Sequence, residues 1–385
     1  MPRVTSKTIG LFARADLSFK RELLRGVAAE AQARGNWELL LLAPVNRRVG
    51  FNVPPIMDGL IMWPDDPAEM EPLLAAEVPT VTLGHLKPMR EVARVIFDNV
   101  KVGRMIAEGF VERGFRHFAA YFQRTMYSYS QDRLAGFREG VAAAGAAEPA
   151  LFDGDVMSHE PVKWQEGLDA LGVWLRGLPK PAGICCDTDQ AGADLLRACQ
   201  HLGVRVPDEV AVIGVGDDDL LCALAHPPLS SVSLRGREVG RMAVAMLDER
   251  MRWPRRIVRT QVMEQFTLVE RASSELLAVE DGAVAAALRC IRERATQGIG
   301  VDDVVNATAL SRRMLEVRFK AATGRTLHEE IVRVRMARAQ VLLETTELAV
   351  AEVAERAGFS EPQRLCEAFA RKLGVTPLEW RRRAR

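Results

Sequence analysis

The feature that most constrains this chain is a repeat near its C-terminus. "VDDVVNATALSRRMLEVRFKAATGRT" begins at Val301, and "VAEVAERAGFSEPQRLCEAFARKLGVT" begins at Val350. Val301, Val304 and Ser311 match Val350, Val353 and Ser360 at a separation of 49 residues. After one inserted residue, Leu315, Phe319, Gly324 and Thr326 match Leu365, Phe369, Gly374 and Thr376 at a separation of 50. Apolar positions in each copy follow helical spacing and break once at a short polar turn, so each predicts helix, tight turn, helix. Leu315 with Phe319, and Leu365 with Phe369, lie four residues apart and should face inward. Ser311 and Ser360 stand where helix N-caps are needed, Ser360 with Gln363 reads as a capping box, and Pro362 suits a first helical turn. Between the copies, "HEEIVRVRMARAQVLLETT" is long and amphipathic enough to hold both at a fixed separation.

The first 270 residues follow a different rule. Short apolar runs ("TIGLFA", "WELLLLA", "GLIMW", "PTVTLG", "RVIFDN", "HFAAYF", "AGICCD", "VAVIGV") alternate with amphipathic stretches such as "DRLAGFREGVAAAG". Strand–helix alternation with unbroken apolar strands predicts parallel sheets covered by helices on both faces. There are too many units for one small sheet, so two α/β lobes are expected. "RIVRTQVMEQFTLV" reads as a closing strand pair, and 271–282 as a linker. The expected fold is thus a two-lobed α/β body over 1–270, followed by an all-α domain over 283–385 with helix-turn-helix motifs at 301–320 and 350–371.

Charge separates the same two parts. Residues 282–385 hold 19 Lys and Arg against 13 Asp and Glu, leaving 33 and 38 for the rest. A basic tail on an acidic body is the electrostatic footprint of a nucleic-acid reader joined to a neutral sensor. The six cysteines form no CxxC pair and read as reduced structural thiols, and the six histidines show no metal spacing. No metal or cofactor is expected. P-loop, GxGxxG, GxSxG and HExxH motifs are absent from the sequence, which argues against an enzyme. "MPRVTSKTIGLFARADLSF" has no signal-peptide core, and no apolar run reaches membrane-spanning length, so a cytoplasmic protein is expected.

The tail resembles an AraC-type DNA-binding domain, through "LSRRMLEVRFKAATG" and "VAEVAERAGFSEPQRLCEAFARKLGVTPLEWR". It departs where that family usually has aromatic residues after the second serine; here the chain reads Arg364-Leu365. The body resembles the periplasmic-binding-protein-like sensor of LacI-type repressors, through "VIFDNVKVGRMIAEGFVERGFRHFAAY", "YSQDRLAGFREGV" and "VPDEVAVIGVGDDD…PPLSSV". The combination is similar to the xylose-operon regulator family. It implies a transcription regulator, more an activator than a repressor, that binds a pentose-like sugar such as xylose, pairs as a homodimer, reads promoter half-sites in double-stranded DNA and engages RNA polymerase.

That resemblance also implies sites. Arg133, in the "DRLAGF" helix, would clamp sugar hydroxyls, since a planar guanidinium offers paired donors. Gly216 stands where the family mostly has a ligand-binding Asp, with Asp217 one position later. Ligands of open α/β sheets bind beyond the carboxyl ends of the strands, which adds Asp16, Asp98, Asn99 and Asp189 as hydroxyl partners. Phe19 or Trp63 would stack on an apolar sugar face. Asp98-Asn99 reads equally as a helix cap, Asp217–Asp219 as a solvated turn, and Arg133 as the partner of Asp132 or Glu139. In the tail, Arg312, Arg313, Glu316, Glu361, Gln363 and Arg364 are expected at base edges, and Arg318, Arg371 and Lys372 at phosphates.

Overall fold

The computed structural model describes residues 6–13, 18–42, 57–64, 69, 73–75, 77–84, 92–123, 125–154, 161–253, 260–275 and 281–384. The chain forms two compact units, Met1–Leu276 and Leu277–Arg385.

The first unit contains two six-stranded sheets. One runs β11-β5-β4-β3-β1-β2, from β1 (Lys7–Phe12), β2 (Trp37–Leu41), β3 (Gly59–Met62), β4 (Thr80–Leu83), β5 (Ala93–Phe97) and β11 (Thr260–Met263), every pair parallel. The other runs β12-β10-β9-β8-β6-β7, from β6 (His117–Phe122), β7 (Ala150–Asp153), β8 (Ala182–Cys186), β9 (Val210–Gly216), β10 (Ser230–Ser233) and β12 (Thr267–Val269). Only the β10–β12 pair of that sheet is antiparallel. Strands β3, β4, β8 and most of β9 are buried at every position, as strands covered on both faces must be.

Among the described residues, helices α1 (Ser18–Arg34), α2 (Asn99–Glu112), α3 (Ser128–Ala143), α4 (Pro161–Gly177), α5 (Asp189–Leu202) and α7 (Gly236–Arg252) cover these sheets, while the short α6 (Asp219–Leu224) follows β9. The chain passes from one lobe to the other after β5, after β10 and again after β11, so α7 returns to pack on α1 and the first sheet. Helices α2 and α3 are pressed together through glycines. A Cβ at Gly103 would come 2.0 Å from the Arg133 carbonyl oxygen, and one at Gly136 would come 1.8 Å from that of Val100. This approach brings Arg133 over the start of α2.

Two expectations need correction. The strands of "RIVRTQVMEQFTLV" do not pair with each other. β11 adds in parallel to β5 and β12 adds antiparallel to β10, in different sheets, because each completes the open edge of its own lobe. The stretch expected as linker also begins inside the body. Ser273 and Ser274 are fully buried; Ser273 donates to the Val212 carbonyl at 2.7 Å, and Ser230 N–H donates to Ser273 Oγ at 2.8 Å.

The second unit is helical throughout its described residues: α8 (Gly282–Arg294), α9 (Val301–Asn306), α10 (Arg312–Thr323), α11 (Leu327–Thr345), α12 (Val350–Arg356), α13 (Pro362–Leu373) and α14 (Pro377–Ala384). It has two cores. Leu315 and Phe319 join Val284, Ile291 and Val304 in one; Leu365 and Phe369 join Val353, Ala357 and Met336 in the other. Helix α11 serves both, giving Leu327 and Ile331 to the first and Val332, Met336 and Ala339 to the second. One rigid helix therefore carries both repeats.

The predicted capping box at Ser360–Gln363 does not form. Glu361 is the N-cap of α13 and Pro362 takes the first helical position. The boxes lie one helix further on. Thr326 with Glu329 caps α11, and Thr376 makes the same exchange with Glu379 before α14. These two threonines are themselves matched positions of the repeat. Gly358, in the second turn, has φ +86°, and a Cβ there would meet the Ala295 carbonyl oxygen at 2.4 Å. That conformation and that contact both select glycine.

Candidate functional site

In the body, side chains converge at the carboxyl ends of both sheets. Arg133 is 6% exposed. Its Nε donates to Asn99 Oδ1 at 2.9 Å, its Nη1 donates to the Asp187 carbonyl, and its Cζ lies 5.0 Å from the centre of the Tyr129 ring. Ser130 donates to Asp187 Oδ2 at 2.8 Å. Burial pushes the Arg133 guanidinium below its usual range. From the first lobe, Phe19 packs edge to face on both Trp63 and Phe97, and Trp63 lies tilted against Phe97, with ring centres 5.3–5.8 Å apart, forming an aromatic wall at the ends of β3 and β5. Phe19 and Trp63 are half-buried.

A second cluster sits at the end of β9. Asp189 is buried in the first turn of α5; it accepts the Asp218 N–H at 2.7 Å and the Ser231 hydroxyl. Gly216 has φ +135°, and a Cβ there would lie 2.8 Å from Asp189 Oδ2. The Asp189 carboxylate thus fills the space that any larger residue at 216 would need. Asp217 does not reach inward in its place: its N–H donates to Ser231 Oγ at 2.9 Å, and its carboxylate is held by Arg271 Nη2 at 2.7 Å. Asp218 caps α6 and also accepts the Ser18 N–H, at the start of α1, at 2.6 Å. Ser18 Oγ donates to Asp219, and Arg21 lies 3.6 Å from the same carboxylate. The first turn of α1 therefore bridges the two lobes. The Ser18 hydroxyl bond leads the causes that hold Asp219 below the usual carboxylate range.

Burial pushes the Asp189 carboxyl up from 3.8 to about 6, with Asp217 and Asp218 adding to the shift. An acid whose folded value lies above its unfolded one holds its proton more tightly when folded. The stability this group contributes is therefore greatest near pH 4, falls as pH rises to about 6, and is flat above that. Asp189→Asn stays neutral and keeps an acceptor. The melting temperature of the wild type, measured relative to this variant, should fall between pH 4 and 6; a constant difference across that window would show that Asp189 does not titrate there.

In the second unit, helices α10 and α13 present the matched outer faces. Arg312 Nη1 donates to Asp302 at 2.9 Å and its Nε to Glu316 at 3.0 Å. Arg318 lies 3.3 Å from Asp281, the N-cap of α8. Arg364 lies 3.7 Å from Glu367. Arg313, Gln363, Arg371 and Lys372 are exposed. Each half is also pinned by an arginine spanning the start of its motif. Arg335 donates to the Ala295 and Ile299 carbonyls at 2.9 and 2.6 Å, and Arg381 to those of Leu343 and Leu348 at 3.3 and 2.6 Å.

Comparison with known proteins matches this arrangement. Residues 107–274 match a periplasmic binding protein-like domain, and residues 304–383 a helix-turn-helix domain. The xylose operon regulatory protein of Escherichia coli strain K12 is 28% identical over 380 residues, 97% of this chain and 96% of its own length. The protein of that name from Haemophilus influenzae is 28% identical over 97% of each chain. A solved structure of a xylose-binding transcription activator, xylR, superposes with TM-score 0.74 at 27% identity over 98% of both chains. The chain joins a periplasmic binding protein-like domain to a helix-turn-helix domain and is similar along nearly its whole length to these transcription regulators.

The regulator brings together some of the residues singled out from sequence and separates others. Arg133, Asn99 and Asp187 meet, and Arg133 bonds neither Asp132 nor Glu139; Glu139 pairs with Arg104 at 2.6 Å. Asp98 caps α2, accepting the Lys101 N–H at 2.8 Å, so of the Asp98-Asn99 pair only Asn99 turns toward Arg133. Asp189 and Asp217 spend their carboxylates within the protein. Asp16 lies outside the described residues. Sequence reasoning missed Tyr129, Ser130, Ser231 and Arg271. Ser231 lies in "PPLSSV" and Ser130 in "YSQDRLAGF", stretches already quoted for the family likeness; nothing in sequence marks Arg271 as the partner of Asp217. No metal-ligating cluster occurs among the described residues, and no helix among them is long and apolar enough to cross a membrane.

Proposed function

We propose that this regulator is switched by a pentose-like sugar such as xylose and activates a sugar-catabolism operon as a cytoplasmic homodimer. The observation that carries this reading is Arg133, buried against Asn99 and the Asp187 carbonyl at the start of α2, together with the Phe19–Trp63–Phe97 cluster of the first lobe. The guanidinium and Asn99 suit vicinal hydroxyls, and the aromatic wall suits the C–H face of a sugar ring. Sugar stabilises the closed arrangement of the lobes, which the Ser18–Asp218 bond also spans. It shifts the equilibrium only by its differential affinity for the two states. Pairing of two bodies presents two helix-turn-helix tails to direct half-sites, where bound regulator contacts RNA polymerase. Arg312, Arg313 and Glu316, with Glu361, Gln363 and Arg364, approach base edges; Arg318, Arg371 and Lys372 approach phosphates.

A second reading, a different small effector, rests on Gly216 and on the engagement of Asp189 and Asp217 with protein partners. Thermal denaturation of the full-length protein against a panel of pentoses and hexoses separates the two. A ligand at a hundred times its Kd adds about 2.7 kcal/mol of apparent stability. Xylose or a close pentose should raise the melting temperature by several degrees. No shift with any sugar sinks the sugar reading and favours the other effector class.

A further inference from the structure

Helix α10 buries Leu315 and Phe319. With roughly 3.6 residues per turn, its opposite side carries Arg313, Val317 and Lys320. Val317 is 63% exposed and Met314, next to it on the outer surface, 46%. Their setting is strongly basic: Arg312, Arg313, Arg318 and Lys320 share the helix with one acid, Glu316, which is paired to Arg312 on the flank. This valine, at the centre of a basic, outward helix face, belongs to neither apolar core of its unit. The basic surround is complementary to a polyanion. The one apolar group that the major groove displays is the C5-methyl of thymine.

We infer that Val317 is a specificity-determining residue that reads a thymine methyl in the half-site contacted by the first recognition helix. This rests on α10 entering the major groove. The second helix does not repeat the feature. The match of Val317 at a separation of 50 is Glu367, exposed and 3.7 Å from Arg364. A carboxylate at that position accepts from a cytosine amino group and offers nothing to a methyl. Dependence on a thymine methyl therefore belongs to one half of the recognition sequence only, which makes the two halves unequal despite the duplicated scaffold.

The test uses the full-length protein. Its preferred sequence is selected from randomised duplexes, and each thymine is then replaced in turn by deoxyuridine, which removes only the methyl. One thymine should lose about fourfold in affinity, the change expected for one buried methyl group. Val317→Ala should lose the same factor on the unmodified sequence and be indifferent to deoxyuridine at that position, closing a double-mutant cycle. 5-Methylcytosine at the same place should recover part of the loss for the wild type and none for the variant. The assignment is overturned if no thymine shows a methyl effect, or if Val317→Ala leaves every methyl effect intact. Selection of no sequence at all by the wild type would instead overturn the DNA-reading role of the tail, a result distinct from both.

Discussion

Arg133→Ala should abolish the sugar response while the tail still binds DNA with its usual salt sensitivity. Each hydrogen bond from a charged donor is worth about 1.5–3 kcal/mol, so losing even one to the ligand weakens the sugar roughly ten- to a hundredfold. The alanine variant has a second effect, because Asn99 Oδ1 and the Asp187 carbonyl are left buried without their donor. That costs about 1–3 kcal/mol for each such group. Arg133→Lys separates the two effects: lysine keeps the charge but not the planar fork, so stability should recover more than sugar affinity does. Sugar-dependent thermal shifts and DNA binding at several salt concentrations are the measurements. Retained induction in Arg133→Ala would remove this residue from the site.

Phe369→Ala should disable the second DNA reader. Phe369 is fully buried and packs its ring against Trp380 at 6.3 Å, inside the core built from α11, α12 and α13. Truncating a buried phenylalanine costs about 3–5 kcal/mol, much of the total stability of a domain this small. Specific DNA binding should fall by more than two orders of magnitude, since loss of one reader forfeits all its base and phosphate contacts. The sugar-induced thermal shift of the body should survive. Arg371→Ala, on the exposed face of the same helix, should weaken binding evenly across sequences and lower the salt slope by about one, as a phosphate contact would. Full operator affinity in Phe369→Ala would mean that the second helix-turn-helix contributes nothing to recognition.

Much of the architecture was legible because it is periodic. Buried parallel strands show as unbroken apolar runs, as at "AGICCD" and "VAVIGV". The two helix-turn-helix copies show through Leu315, Phe319, Leu365 and Phe369, whose spacing depends only on the helical repeat. The whole-chain likeness rests on the same local patterns. Arg133 too was visible, within "DRLAGF".

What sequence left open concerns partners distant along the chain. Strands β11 and β12 looked like a hairpin, yet each completes a different sheet, and strand pairing is set by which edges the crossovers leave open. The acids at the strand ends looked equivalent, yet Asp98 caps a helix, Asp217 is held by Arg271, and Asp189 lies against the backbone of Gly216. Arg312 and Arg313 looked alike, yet Arg312 pairs with Asp302 and Glu316 on the exposed surface and must exchange those partners to reach a base. Sequence by itself determined two α/β lobes, a duplicated reader and the residue types each exposes, because hydrophobic periodicity is a property of neighbouring residues. Only the tertiary structure decided which charges stay available for a ligand or a base, because a carboxylate or guanidinium is spent on whichever partner folding brings within about 3 Å.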